Sequence, residues 1–322
     1  MGNLRIVFLS VLSFLINASL AQERLINLEG SWKFSIGDKQ SWADPFYDDS
    51  SWETIHAPEI WENQGFHGYD GFAWYRKSFD VTNLPKSKSL YLHLGHIDDA
   101  DEVYLNGKLI GFSGHMPPKF KTAYKAERQY TFPAQYLNKN GPNVIAVRVF
   151  DVTREGGISS GRLGIYASSY SSSLIVDLQG VWSFRIDARG YMKTDWEQIM
   201  VPIPWEPQGY ENYDGWATYK KSFVLPAGTS VENLVLVLGK IDDFDRTYLN
   251  GKLIGITRDD RPLGKSISYY ESRAYTIPPG LIKLNEKNTI IIEVEDIGMT
   301  GGIWKGPVGV TTATKYYRYL KE

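Results

Sequence analysis

The sequence predicts an all-β protein made of two tandem jelly-roll β-sandwich domains, and three observations carry that prediction. The first is a duplication: residues 52–111 align without a gap with residues 196–255, at a constant spacing of 144. WENQG at 61–65 matches WEPQG at 205–209, YDGFAWY at 69–75 matches YDGWATY at 213–219, and LGHIDDAD at 94–101 matches LGKIDDFD at 238–245. A period this long is a duplicated domain, not a solenoid of short repeats. The second observation is a set of short alternating or β-branched runs: SLYLHL at 89–94, NVIAVRV at 143–149, NLVLVL at 233–238 and NTIIIEV at 288–294. Such runs, separated by turn residues, are strands of a sandwich or barrel. The third is YLNGKLIG, present at 104–111 and again at 248–255. Its Asn-Gly pair between apolar flanks predicts a hairpin, because both turn residues must take positive φ.

The remaining elements follow in chain order. Arg5 precedes an apolar run over 6–16, and small residues at Ser19 and Ala21 suit signal-peptidase cleavage before Gln22. That run is short for a membrane span. Residues 1–21 are therefore expected to be a signal peptide, and the protein to be exported, periplasmic or extracellular. LEGSWKF at 28–34 pairs with LQGVWSF at 178–184, so a leading strand opens each copy. RQYTFP at 128–133 pairs with RAYTIP at 273–278, and GGI at 156–158 with GGI at 301–303. A small, polar stretch, ASSYSSS at 167–173, marks the join. The expected domains are thus 22–170 and 171–322.

Composition excludes several classes. Net charge is −2, which gives no polybasic surface for nucleic acid or membrane. There is no cysteine, so disulfides, thiol catalysis and cysteine-based zinc sites are all absent. All five histidines lie in the first copy, so no histidine chemistry belongs to the shared module. GISSG at 157–161 fits the G-x-S-x-G pattern of serine hydrolases. That motif requires a strand, a sharp turn and a helix, and no helix is predicted after Ser159. Its counterpart, GIWKG at 302–306, has no serine and presents Trp304 instead.

LGxIDDxD, then YLNGKLIG, then RxYTxP and the looser NxIxVxVxD strand together resemble a known family. The sequence is similar to the sugar-binding, galactose-binding-like jelly-roll domain of glycoside hydrolase family 2 enzymes, and to the jelly-roll segment of bacterial sialate O-acetylesterase-like proteins. The resemblance runs once per copy over nearly all of the expected mature chain. It implies a non-catalytic sugar-binding domain that accompanies a catalytic (β/α) barrel with paired glutamates. Such a barrel occupies roughly 250 residues, for which this chain has no room, so carbohydrate binding without hydrolysis is the leading expectation.

Two residue sets are candidates for that function. Around WExQG and YDGxA, aromatic rings offer flat faces to the C–H face of a sugar, and neighbouring carboxylates and amides accept its hydroxyls. The candidate ligand residues are Trp61, Glu62, Gln64, Tyr69, Asp70 and Trp74, with Trp205, Glu206, Gln208, Tyr213, Asp214, Trp216 and Trp304 in the second copy. The bland alternative is that these aromatics are core, as is expected of Trp32, Trp52, Trp182 and Trp196. The IDDxD aspartates form the second set. Asp98 and Asp99 with Arg128, and Asp242 and Asp243 with Arg273, are expected to form a buried charge network, because buried charges persist only when paired. Ligand or calcium contact is the alternative, with no cofactor required and the metal ligands left open. Two rival functions remain: a glycoside hydrolase using Asp98 or Asp99 with Glu62, and an accessory subunit docked on a separate glycosidase.

Overall fold

A computed structural model describes residues 24–81, 90–167, 174–188, 192–258 and 267–319. The expected signal peptide and most of the serine-rich join lie outside the described residues. Each repeat is a sandwich of two antiparallel sheets. In repeat one the larger sheet has the order Glu53–Ala57, Gly30–Ile36, Gly71–Phe79, Asn143–Asp151, Ala100–Leu105, Lys108–Ser113. The facing sheet is built around Leu90–Asp98, which pairs with Glu127–Phe132 on one side and with Gly157–Ser160 and Gly164–Ala167 on the other. Repeat two repeats this scheme around Gly215–Val224, Lys287–Asp296 and Leu234–Asp242. Sequential alternation explains the packing: in Lys287–Asp296 every second residue from Asn288 to Asp296 is buried, as a strand with one core face requires.

Both predicted hairpins form. Asn106 and Gly107 take φ of 50° and 76°, and Asn250 and Gly251 take 49° and 81°, the doubly left-handed geometry of a two-residue turn whose twist suits the strands. Each Asn also bonds beyond its own turn. Asn106 Nδ2 donates to Asn143 Oδ1 at 2.8 Å and its Oδ1 accepts from Val144 N at 2.9 Å, which ties the hairpin to the neighbouring strand.

A separate apolar core fills each sandwich, with Trp32 and Trp182 at equivalent places. The two sandwiches also touch. Met200, which is 3% exposed, packs into the core cluster of repeat one, with Val181 and Ile203 beside it. Polar contacts flank this seam: His115 Nε2 lies 2.7 Å from Gln208 O, and Lys121 Nζ donates to Glu206 O at 3.2 Å and to Glu211 Oε1 at 2.8 Å. Among the described residues, no helix is long and apolar enough to cross a membrane.

Candidate functional site

The WExQG and GGI motifs meet because one covers the other. Trp61 lies beneath Gly156, where an added Cβ would stand 2.1 Å from the indole; Trp205 and Gly301 repeat this at 2.0 Å. Only glycine lets the strand pass this close to the ring. With the indole fixed, the next residue of the motif is carried to the same place in each copy. Glu62 Oε2 accepts from Gly156 N at 3.0 Å, and Glu206 Oε1 accepts from Gly301 N at 2.7 Å. The other carboxylate oxygen of each, Glu62 Oε1 and Glu206 Oε2, is buried with no partner among the described residues.

Three aspartates cluster in repeat one, and in repeat two Asp242 and Asp296 both feel the charges of Asp243 and Glu206. Asp98 closes the strand Leu90–Asp98 with Asp99 directly after it, and Asp151 closes Asn143–Asp151 in the facing sheet. Carboxylate oxygens of Asp98, Asp99 and Asp151 lie within 4.8 Å of one another. Asp151 is fully buried, with Oδ1 accepting from Thr153 N at 3.3 Å and Oδ2 unpartnered; Asp296 has the same free Oδ2 in repeat two. Burial, followed by the hydrogen bond with Asp99 and its charge, pushes Asp98 up to about 7. Burial and the charges of Asp243 and Asp296 push Asp242 up to about 8. Burial likewise raises Asp151 to about 7 and Asp296 to about 6. The physical cause is shared: carboxylates this close in a desolvated corner cannot all ionise. Three hard oxygen donors also match calcium, which takes 6–8 such ligands, so this set supplies part of a shell at most.

The charge network differs in one partner from the sequence expectation. Arg128 pairs with Asp101, the third aspartate of the motif, at 2.7 Å, both side chains being fully buried. Arg273 pairs with Asp245 at 3.0 Å. Asp99 and Asp243 join through their backbone, their carbonyls accepting from Arg128 Nη2 at 3.0 Å and Arg273 Nη2 at 2.6 Å. Their carboxylates instead accept from Val152 N and Ile297 N, each at 3.1 Å. Asp98 and Asp242 are half-buried at the rim, and Asp98 feels the Arg128 charge without forming the ion pair that Asp101 makes. The network therefore holds up the Asp-Asp corner and leaves the first aspartate to the site.

Most of the predicted stacking residues are not surfaces. Trp61, Trp74 and Trp205 are fully buried, so no sugar reaches their faces; each packs in core, Trp74 stacking on Tyr104 at 5.8 Å. Gln208 is 9% exposed and spends its amide clamping Met200, Ile203 and Pro204, as Gln64 clamps His56, Glu59 and Ile60. Tyr69 and Tyr213 donate to Phe72 O and Trp216 O, both at 2.7 Å. Trp216 is half-buried on the strand beside Lys287–Asp296, with the Arg246 guanidinium 5.4 Å from its ring. Trp196, expected in the core, is 38% exposed, its ring covered by Arg185 and Lys220. Glu62 is held on Gly156 N, and Glu206 lines the acidic corner, its charge raising Asp242 and Asp296. Exposed Asp70 and Asp214 add their charge to it, raising Asp151 and Asp296 respectively. Trp304 stands at its edge, half-buried.

Residues 37–155 match the family model described as the β-galactosidase second all-beta domain. A putative β-glucuronidase of Formosa agariphila is 31% identical over 171 residues, which cover 49% of this chain and 16% of that protein. A β-galactosidase of Bacteroides ovatus is 25% identical over 158 residues, 45% of this chain and 18% of its own length. Over about half its length the chain is similar to parts of these two glycosidases. It matches less than a fifth of the length of either of those two relatives. Among solved structures, a Bacteroides uniformis β-glucuronidase aligns over 87% of this chain and 28% of its own, with 17% identity and a TM-score of 0.39.

Proposed function

We propose that the chain is an exported carbohydrate-binding protein that holds sugar without cleaving it. The observation that supports this reading is the acidic corner present in both copies. The buried carboxylate oxygens without a partner among the described residues are Glu62 Oε1 and Asp151 Oδ2 in one copy, and Glu206 Oε2 and Asp296 Oδ2 in the other. Acceptors already desolvated and left unpaired are costly unless donors fill them, and sugar hydroxyls are such donors. The resemblance to family 2 domains points the same way. Export is supported by the apolar run after Arg5.

The rival hydrolase reading fits less well. Glycoside hydrolysis takes two carboxyls about 5–9.5 Å apart, one on each side of the scissile bond, whereas oxygens of Asp98 and Asp99 crowd against Asp151 within 4.8 Å, and Glu62, the partner that reading requires, already accepts from Gly156 N. The test is a glycan and polysaccharide array probed with the chain from Gln22 onward, with hydrolysis assayed on the same ligands. Binding without turnover is the expected result. Turnover overturns the reading and makes Asp98 and Asp99 the first residues to alter. Silence in both assays moves the assignment to docking on a separate glycosidase. No cofactor is proposed to be required, so binding is expected to survive EDTA; its loss on chelation would assign calcium to Asp98, Asp99 and Asp151.

A further inference from the structure

We infer that the two copies have diverged and that repeat two is the one that holds sugar, gripping an uncharged pyranose between its acidic corner and a stacking wall of Trp304, Lys240 and Tyr270. The inference rests on the carbohydrate reading and says which copy carries it and for what class of ligand.

The wall is built by a register shift. Gly302–Lys305 pairs with Leu234–Asp242 so that Ile303 faces Ile241 and Lys305 faces Lys240, which leaves Trp304 as the extra residue of a bulge. A bulge re-aims the side chain it carries, and Trp304 is left partly exposed at the rim. Lys240 and Asp242 are two residues apart on one strand and both half-buried, so they share a face. The Lys240 ammonium lies 5.5 Å from the Trp304 ring centre and 5.3 Å from that of Tyr270. It is thereby fixed between two rings by cation–π attraction, while Tyr270 remains 62% exposed. Acceptors, a fixed N–H donor and an indole edge together match the hydroxyls and C–H face of a pyranose.

Repeat one has the same bulge without the wall. Ser159 is its extra residue, His96 stands where Lys240 does, and Lys125 takes the place of Tyr270. His96 Nδ1 contacts Ser160 Oγ at 3.3 Å rather than an aromatic ring. A second asymmetry concerns support. The WEPQG turn that carries Glu206 is gripped from repeat one by His115 and Lys121, through Gln208 O and Glu206 O. The ligand class follows from charge. Even with Asp242 protonated, the carboxylates of Asp243, Asp296, Glu206 and Asp214 outnumber the ammoniums of Lys240 and Lys121, so the field at this corner repels a uronate.

Titration calorimetry with cellotetraose, xylotetraose and galactotetraose as neutral probes, and tetragalacturonate as the acidic one, tests this. Trp304→Ala and Tyr270→Ala are expected to weaken neutral-probe binding about tenfold or more each, with Ser159→Ala unchanged. Tyr270 is exposed, so its variant reads the wall even where Trp304→Ala does not fold. Wild-type binding that survives both wall variants and falls with Asp151→Asn overturns the inference and leaves the carbohydrate reading intact. Preference for tetragalacturonate overturns the assigned ligand class. Failure of the wild-type chain to bind any sugar, on these probes and on the array, removes both readings.

Discussion

Arg128 and Arg273 show how one residue type serves the whole site. Each guanidinium neutralises a buried aspartate and also holds the carbonyl of the Asp-Asp corner. Removing one partner of a buried pair strands the other charge, at a cost of about 3–5 kcal/mol. Arg128→Met is therefore expected to lower urea-denaturation stability by that amount, and an unchanged midpoint would rule out the network. Trp61→Ala is expected to cost about 3–5 kcal/mol as a large core truncation. Its signature is loss of folding in the same assay, with any sugar affinity of the folded fraction preserved. The sequence named both arginines and the aspartate motif, but not which aspartate pairs. Asp98, Asp99 and Asp101 are chemically alike, and only the sheet-to-sheet geometry puts Asp101 beside the guanidinium. The tryptophans misled for a related reason. A ring next to a turn reads the same whether it faces solvent or lies under a glycine strand, and the GGI repeat was the one available sign of the latter.

At the scale of elements, the informative feature is where strands end. Leu234–Asp242 and Lys287–Asp296 both stop in aspartate at the same edge of the sandwich, as do Leu90–Asp98 and Asn143–Asp151. The strands and hairpins were legible because alternation and Asn-Gly turns are local signals. Asp151 and Asp296 were missed as site residues, although both copies close the same strand with aspartate; their convergence on Asp98 and Asp242 depends on pairing between distant strands. This crowding has a pH consequence. Asp242 is raised from the ordinary 3.8 to about 8, and Asp98 to about 7. A folded-state value above the unfolded one favours the fold while the group stays protonated. That contribution is complete below about pH 4 and is lost as pH rises through about 8. Asp242→Asn, which stays neutral, is expected to melt a few degrees above the wild type at pH 9 and to match it at pH 4. Parallel melting curves across that range would show that Asp242 does not carry the shift.

The whole molecule is more than two independent sandwiches, because each lends something to the other. Repeat two places Met200 into the core cluster of repeat one, and repeat one extends His115 and Lys121 onto the turn that carries Glu206. The outlying ion pair Lys119–Glu197 adds little, since Lys119 is largely exposed and solvent screens the pair. Coupling therefore runs through the apolar seam and the buttressed turn. An apolar side chain of one repeat seated in the core of the other makes their unfolding cooperative, so scanning calorimetry of the wild-type chain is expected to give one transition. Met200→Ser, which leaves a cavity and a hydroxyl in that seam, is expected to cost about 2–5 kcal/mol and to split the melt in two. The first of those transitions would belong to repeat one, whose core loses the contact, while repeat two keeps every residue of its own cluster. Two separate transitions already present in the wild type would mean that the seam is a contact without coupling, and that the support given to Glu206 is not energetically shared.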